Sequence, residues 1–305
     1  MNTFRRNISL PALWLGLTLS AGVSWAEKGA GFPPDGLALS VDGSEGLSSG
    51  PYRLSIGPNG AVFVLDRGSA VLYRFSPETG EVIWSIDGSE SGERFIDPAY
   101  LSRPDGFFIY LTDRGRRLVW RIDYRGEIRG SLDLAFARDP VLLELISGSQ
   151  LVVYDRDRAL IHILDDSGRG LWSFAPGAGR KTAEPVDLCV SSDGSKLYLL
   201  WPEGDSMSAV DLFGRSCSTI QAVGLMFTPQ AVVCTGDQDG EALCLAAGRK
   251  GPVVFLDPMA GAMWKSTREF EFIWDSACTP AEPGVIYILV GPEPALVKIK
   301  LERGD

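Results

Sequence analysis

The sequence predicts an all-β protein folded as a six-bladed β-propeller, and three observations support this fold class. A turn containing glycine recurs at intervals of 42 to 46 residues along the chain. A short β-rich segment follows each of these turns. A second turn then lies 20 or 21 residues after the first in five of the units. Units of about 45 residues with a constant internal offset predict repeated four-stranded blades, whereas two β-sandwiches would not explain the offset.

Each unit contains the same elements in the same order. The first-turn glycines are Gly60, Gly106, Gly148, Gly194, Gly240 and Gly284. The β-rich segments, such as Ala61–Leu65, are bounded by Gly, Asp and Asn, which is typical of short antiparallel strands. We expect one domain over 27–305, with blades at approximately 51–90, 97–135, 139–176, 185–222, 229–267 and 274–302, the last completed by 36–42.

A segment near the N-terminus that is repeated in the first unit predicts how the ring closes. The segment Ser40–Glu45 reads SVDGSE, and Ser85–Glu90 reads SIDGSE, so the N-terminal segment resembles the outermost strand of the first unit. The sixth unit ends after Leu301 without an outermost strand. We therefore predict that residues 36–42 pair with residues 296–301, because a strand supplied by the other terminus would cover an exposed sheet edge.

The first 26 residues have the pattern of a secretory signal peptide. Arg5 and Arg6 precede an apolar run, and Ser24-Trp25-Ala26 supplies small residues before a cleavage point. The run is short for a membrane span, so we expect a protein that is exported to the periplasm or secreted, without membrane insertion, as a monomer. Loss of the two arginines would take the net charge from −10 to −12. An acidic chain lacks the basic surface expected of a nucleic-acid-binding protein.

An Asp-Arg pair follows the β-rich segment in each of the first three units. The segments are Leu65-Asp66-Arg67-Gly68, Thr112-Asp113-Arg114-Gly115 and Tyr154-Asp155-Arg156-Asp157. With the opening proline and the two turns, this pattern resembles the NHL-repeat type of six-bladed propeller. Three tryptophans, Trp84, Trp172 and Trp264, follow the second turns. They resemble the docking motif of quinoprotein-like propellers, which implies an indole packed against a neighbouring blade.

The loops after these pairs carry the candidate ligand-binding residues. They are Arg67, Arg114, Arg116, Arg117, Arg156 and Arg158. Arginines on one face predict a basic opening at one end of the propeller channel. Such an opening suits a carboxylate-bearing partner, either an envelope protein or a small anionic ligand. Arg116 and Arg117 are the strongest candidates because neither has an adjacent acid. The alternative is that neighbouring aspartates pair locally with the arginines and only order the loops.

No catalytic set emerges from the sequence. His162 is the single histidine, whereas the amidating lyases with NHL-like repeats hold zinc with several histidines. The gluconolactonase-like lactonases hold calcium with Glu, Asp and Asn, and the predicted mature chain has one asparagine, Asn59, in a turn. Asp187 and Asp275 begin inner strands and are the candidates for a calcium site in the channel, since calcium accepts any hard oxygen ligand. No other cofactor is expected.

Five cysteines lie in the second half of the chain, and an odd number leaves at least one thiol unpaired. Cys234 and Cys244 flank a predicted hairpin turn, so they are either a cross-strand disulfide or small buried hydrophobic residues. Taken together, the sequence favours an exported, non-catalytic binding or scaffold module of the cell envelope. The alternative function is a calcium-dependent hydrolase or lactonase.

Overall fold

The computed structural model describes residues 37–39, 50–88, 95–146, 150–176, 184–202, 206–213, 216–221, 227–237, 240–247, 250–259, 261, 263–279, 281–291 and 294–300. The predicted signal peptide lies outside these ranges. Within them the chain forms six four-stranded antiparallel sheets, as the sequence predicted. None of the described residues belongs to a helix long and apolar enough to cross a membrane.

Strands are numbered in chain order. The N-terminal strand and the first three blades comprise β1 (Leu37–Ala38), β2 (Tyr52–Ile56), β3 (Val62–Asp66), β4 (Val71–Phe75), β5 (Val82–Asp87), β6 (Pro98–Leu101), β7 (Phe108–Asp113), β8 (Leu118–Asp123), β9 (Ile128–Asp133), β10 (Pro140–Ile146), β11 (Gln150–Asp155), β12 (Leu160–Leu164) and β13 (Gly170–Phe174). The last three blades comprise β14 (Asp187–Val190), β15 (Lys196–Leu200), β16 (Ser206–Asp211), β17 (Cys217–Gln221), β18 (Pro229–Asp237), β19 (Gly240–Ala247), β20 (Gly251–Leu256), β21 (Met263–Phe270), β22 (Ile273–Cys278), β23 (Val285–Val290) and β24 (Ala295–Lys300).

The first strand of each blade lies at the centre of the ring. The six inner strands are β2, β6, β10, β14, β18 and β22, and each contacts the inner strands of both neighbouring blades. Contact between β22 and β2 closes the ring. The second strands are the most deeply buried, and all five residues of β3 are buried. The fourth strand of the first blade, β5, largely alternates between exposed and half-buried positions, as expected at the outer rim of a propeller.

The last blade is completed by the N-terminal segment. In that sheet β1 pairs antiparallel with β24, and Leu37 lies opposite Leu296 while Ala38 lies opposite Ala295. The Leu39 N–H adds a hydrogen bond of 3.1 Å to the carbonyl oxygen of Pro294. The predicted closure of the ring is confirmed, although residues 36 and 40–42 of the predicted strand lie outside the described part of the chain.

Trp84 shows how neighbouring blades are joined. Its indole Nε1–H donates to the carbonyl oxygen of Tyr124 in the second blade, at 2.9 Å. Gly126 lies against the indole with a positive φ of 83°, and a Cβ at that position would come within 3.0 Å of the ring. Glycine therefore meets both a backbone and a packing requirement at this turn. The contact agrees with the docking role inferred from the sequence for this tryptophan.

Candidate ligand-binding site

Two adjoining cavities open at one end of the channel and share Arg53, Arg67, Val186 and Gln230 in their walls. We call the combined opening the mouth. One cavity, of about 550 Å³, is lined by three predicted binding residues, Arg67, Arg114 and Arg156, together with Glu184. The other, of about 780 Å³, is walled by aromatic side chains and a lysine: Tyr52, Phe227, Phe272, Trp274 and Lys250. The mouth therefore has a cationic side and an aromatic side.

Aspartates at the ends of the second strands hold the loops of the cationic side. The buried Asp113 carboxylate accepts hydrogen bonds from the backbone N–H groups of Ile96 and Asp97, at 2.9 and 3.1 Å. Asp155 in the third blade accepts two equivalent bonds, both of 3.0 Å, from the residues that precede β10. Carboxylates bound in this way order the loops, but through backbone N–H groups and not by pairing with the adjacent arginines, as the alternative interpretation had it.

The arginines of the second and third blades belong to a chain of alternating charges. Arg114 forms an ion pair of 2.6 Å with Asp97 and approaches Asp139 at 3.9 Å. Arg156 in turn pairs with Asp139 at 2.6 Å and lies 3.7 Å from Glu184. This series of alternating charges extends from the second blade to the fourth. Both arginines therefore have acids close by within the protein.

The first blade breaks this pattern because Pro51 lies where the second and third blades have Asp97 and Asp139. In the second blade the Arg114 N–H donates to the carbonyl oxygen of Asp97, whose side chain also pairs with the guanidinium. The Arg67 N–H donates in the same way, at 3.1 Å, to Pro51, which has no carboxylate. Among the residues that the structure describes, Arg67 forms no ion pair.

The electrostatic surroundings of Arg67 reflect the missing acid. Burial, followed by the nearby positive charges of Arg53 and Arg114 and partly opposed by Asp97, lowers the pKa of Arg67 to about 10. Burial and like charges both disfavour the charged form, and a negative group placed beside the guanidinium would relieve both effects. Bound beside Arg67, an anion would therefore stabilise the charged guanidinium.

The other three predicted arginines do not line the mouth. Arg116 lies 6.0 Å from the centre of the Trp120 ring, in a cation–π arrangement. Arg117 is exposed and occupies a tight turn with a φ of 54°. Arg158 is exposed and donates to the carbonyl oxygen of Phe136. The structure thus brings together Arg67, Arg114 and Arg156 but not the two residues that the sequence ranked first.

Below the mouth, the two predicted metal-binding aspartates surround an internal cation. Arg53 Nη1 lies 3.4 Å from Asp187 Oδ1 and 3.5 Å from Asp275 Oδ1. Each aspartate also accepts a backbone hydrogen bond from a neighbouring blade, at 2.8 Å from Val232 and 2.7 Å from Leu54. The position predicted for a calcium ion therefore holds a guanidinium. The described residues include no group of three or more His, Cys, Asp or Glu side chains suited to a metal.

Burial governs the protonation of this cluster. Burial, opposed by Arg53 and increased by the negative charge of Asp187, raises the pKa of Asp275 to about 7. Burial also raises the pKa of Asp187. Burial by itself would lower the pKa of Arg53. The negative charges of the two aspartates outweigh burial, so the pKa of Arg53 is raised. Tyr100 donates its hydroxyl to Asp187 and lies under the Arg53 guanidinium, 4.4 Å from ring centre to Cζ.

Sequence reasoning did not identify Arg53 and Tyr100, although the repeat carries a signal for both. Arg53 lies opposite Leu65, and Tyr100 lies opposite Thr112. Leu65 and Thr112 are the residues that immediately precede the Asp-Arg pairs. Aligning each inner strand with its Asp-Arg pair would therefore have placed both side chains just below the mouth.

The predicted disulfide between Cys234 and Cys244 is wrong, because the hairpin register differs by one residue. Cys234 lies opposite Leu243, whereas Cys244 lies opposite Val233, and both thiols are free. Neighbouring residues of a strand point to opposite faces of the sheet. The two cysteines consequently pack in different hydrophobic clusters.

Comparisons with known proteins reveal the fold and no closer relationship. No family model matches the chain, and no curated protein matches it. Among solved structures, a streptogramin B lyase is similar over 85% of each chain, with 12% identity and a TM-score of 0.57. A virginiamycin B lyase from Staphylococcus aureus, as its selenomethionine derivative, has 13% identity and a TM-score of 0.53, covering 84% of this chain and 86% of its own.

A third structure is a catalytically inactive histidine-to-alanine variant of the S. aureus virginiamycin B lyase with quinupristin. It has 13% identity and a TM-score of 0.55, and the match covers 83% of this chain and 85% of the lyase. At these identities the likeness establishes a shared propeller fold alone.

Proposed function

We propose that this protein is an exported, non-catalytic binding module whose mouth holds a carboxylate of an envelope protein or of a small anionic ligand. The observation that carries the proposal is the missing acid of the first blade. Arg114 and Arg156 have partner carboxylates within the protein, while Pro51 occupies the corresponding place beside Arg67. A ligand carboxylate at Arg67 would continue the alternating chain of charges into the first blade.

The aromatic side of the mouth narrows the ligand class. Trp274 packs against Phe272 and Tyr52, with ring centres 4.4 and 4.9 Å apart. These rings adjoin Arg67 in one cavity wall. A ligand that joins a carboxylate to an aromatic or other apolar group would contact both sides at once, and apolar contact adds affinity without charge.

Calorimetric titration with N-acetylphenylalanine, compared with the corresponding amide, tests this proposal. We expect the acid to bind and the amide to bind at least about tenfold more weakly, because a charge-assisted hydrogen bond is lost. Arg67→Met should reduce acid binding to the level of the amide. Arg125→Met, which changes an exposed arginine outside the mouth, is the matched control. Equal binding of acid and amide would show that the mouth does not recognise a carboxylate.

Pro51→Asp provides a complementary test. The new carboxylate would occupy the place that Asp97 holds beside Arg114, so Arg67 would gain an internal partner. We expect this variant to lose binding of the acid. An envelope protein captured by the wild type should likewise be absent from captures with Arg67→Met and with Pro51→Asp.

The alternative function is enzymatic, and two proteins of known structure that share this fold are named as lyases. One of those lyases is described as inactive when a histidine is replaced by alanine. In this chain the single histidine, His162, is buried on β12 against Phe136, with ring centres 4.9 Å apart, and is not part of the mouth. For the calcium-dependent hydrolase, Asp187 and Asp275 would have to bind the ion beside Arg53. A calcium-dependent rise in Tm that is lost in Asp275→Asn, together with hydrolysis of a lactone, would favour the enzyme.

A further inference from the structure

Three free cysteines from consecutive blades line a small cavity in the channel. Cys189, Cys234 and Cys278 lie on β14, β18 and β22, further along the inner strands than the Arg53 cluster. The cavity has a volume of about 40 Å³ and is also lined by Arg103 and Glu144. A space of this size admits water but not an organic molecule.

The thiols of Cys189 and Cys234 are the pair that face each other. Both side chains line the same cavity and pack in the same hydrophobic cluster, where Cys234 Sγ also donates to Glu241 Oε1 at 2.8 Å. The backbone supports this pairing, because the Asp187 carboxylate binds the N–H of Val232 at 2.8 Å, and each cysteine lies two residues further along its own strand. Residues two apart on a strand point to the same side, so contact at the first pair brings the second pair together.

The third thiol is directed elsewhere. Cys278 Sγ donates to the carbonyl oxygen of Cys234 at 2.9 Å, so its sulfur points at the backbone. Cys217 is exposed on an outer strand, and Cys244 packs in a separate hydrophobic cluster. Of the five cysteines, only Cys189 and Cys234 therefore share both a cavity and a hydrophobic cluster, since Cys278 packs against the cluster that contains Cys244.

We propose that Cys189 and Cys234 form a disulfide that links the fourth and fifth blades, and that this bond forms while the chain folds in the presence of a disulfide oxidant. One cysteine thiolate attacks a sulfur of the oxidant and releases one thiol. The second cysteine thiolate then attacks the mixed disulfide and releases the other thiol. The two cysteines lose two electrons and two protons, and the oxidant is reduced to two thiols.

Formation during folding follows from the surroundings of the pair. The channel cavity is too small to admit the oxidant once the ring has closed. Burial also raises the pKa of both thiols, and for Cys234 the proximity of Cys189 and Glu241 raises it further. A protonated thiol is a poor nucleophile, so the native reduced protein should resist oxidation that the folding chain undergoes.

Peptide mapping by mass spectrometry tests the proposal. The reduced protein is unfolded, refolded in a mixture of reduced and oxidised glutathione, alkylated under denaturing conditions and digested. We expect one dominant linked peptide that joins Cys189 to Cys234, with the other three cysteines alkylated. Cys189→Ala should abolish the linked peptide, whereas Cys244→Ala, a change at an equally buried cysteine, should retain it.

Two further samples complete the experiment. Folded reduced protein placed in the same buffer should gain the linked peptide much more slowly, and equal rates would overturn the requirement for folding. Protein purified after export, without reductant, should contain the same link and a higher Tm than its reduced form. The proposal is overturned if all five cysteines are alkylated in both the refolded and the exported samples, or if Cys217 or Cys244 is linked as often as Cys189.

Discussion

The first three blades and the last three place their charged side chains differently. In the first three, the buried aspartates Asp66, Asp113 and Asp155 end the second strands, and their carboxylates bind backbone N–H groups of the mouth loops. In the fourth and sixth blades, Asp187 and Asp275 lie on inner strands and bind the backbone of the adjacent inner strand. Similar backbones thus carry two different uses of a buried carboxylate: one orders a surface, and the other joins blades.

The two halves of the ring meet through opposite charges in the channel. Arg53 of the first blade lies between the aspartates of the fourth and sixth blades. A second channel ion pair, between Arg103 of the second blade and Glu144 of the third at 3.8 Å, stays within the first half. A cation on one side of a closed ring can compensate acids from distant parts of the chain. Arg53 is therefore a cation of the first half that compensates two buried acids of the second.

Replacement of Arg53 should have the largest effect. Arg53→Met would leave Asp187 and Asp275 buried without a cation, and we expect the free energy of unfolding in urea to fall by about 3–5 kcal/mol. Adding Asp187→Asn and Asp275→Asn to the same chain should restore part of the loss, because the uncompensated charges are then removed. A loss below about 1 kcal/mol in Arg53→Met would show that the two halves do not depend on this contact.

A smaller effect is expected from the carboxylates that order the mouth. Asp113→Ala removes the acceptor for three backbone N–H groups and for Trp120 Nε1, which lies 3.3 Å from Oδ2. We expect a loss of about 2–3 kcal/mol, because buried donors are left without partners. Asp113→Asn keeps one oxygen acceptor and should lose less. Equal losses in the two variants would show that the hydrogen bonds do not carry the effect.

The pH dependence of stability distinguishes the two kinds of carboxylate. The folded-state pKa of Asp275 is about 7, above its value of 3.8 in the unfolded chain. Between these values the folded protein binds more protons, so the contribution of Asp275 makes the free energy of unfolding fall as the pH rises from about 4 to about 7. The slope from one such group is at most about 1.4 kcal/mol per pH unit. Asp275→Asn should flatten this part of the profile, whereas the exposed Asp166→Asn should leave it unchanged.

The repeat pattern was sufficient to predict the architecture. The turn glycines and β-rich segments are local signals, and each blade forms its hydrogen bonds largely between strands that are consecutive in the chain. The similarity of the segments at Ser40 and Ser85, together with the missing outermost strand of the sixth unit, predicted the pairing of β1 with β24, which is the one pairing between distant segments among the described strands. The register at Cys234 could not be predicted, because a shift of one residue leaves the hydrophobic content of a hairpin unchanged.

The candidate site depended on the packing of the blades. The sequence indicated that Arg67, Arg114 and Arg156 share a face, but it ranked Arg116 and Arg117 above them by their lack of adjacent acids. Only the ring shows that acids reach the arginines from the loops that precede the inner strands and from neighbouring blades, and that Arg67 alone of the three has Pro51 in place of the acid in its own blade. Strand periodicity is a property of consecutive residues and can be predicted from the sequence. The charge balance of the mouth depends on residues far apart in the chain, and only the closed ring brings them together.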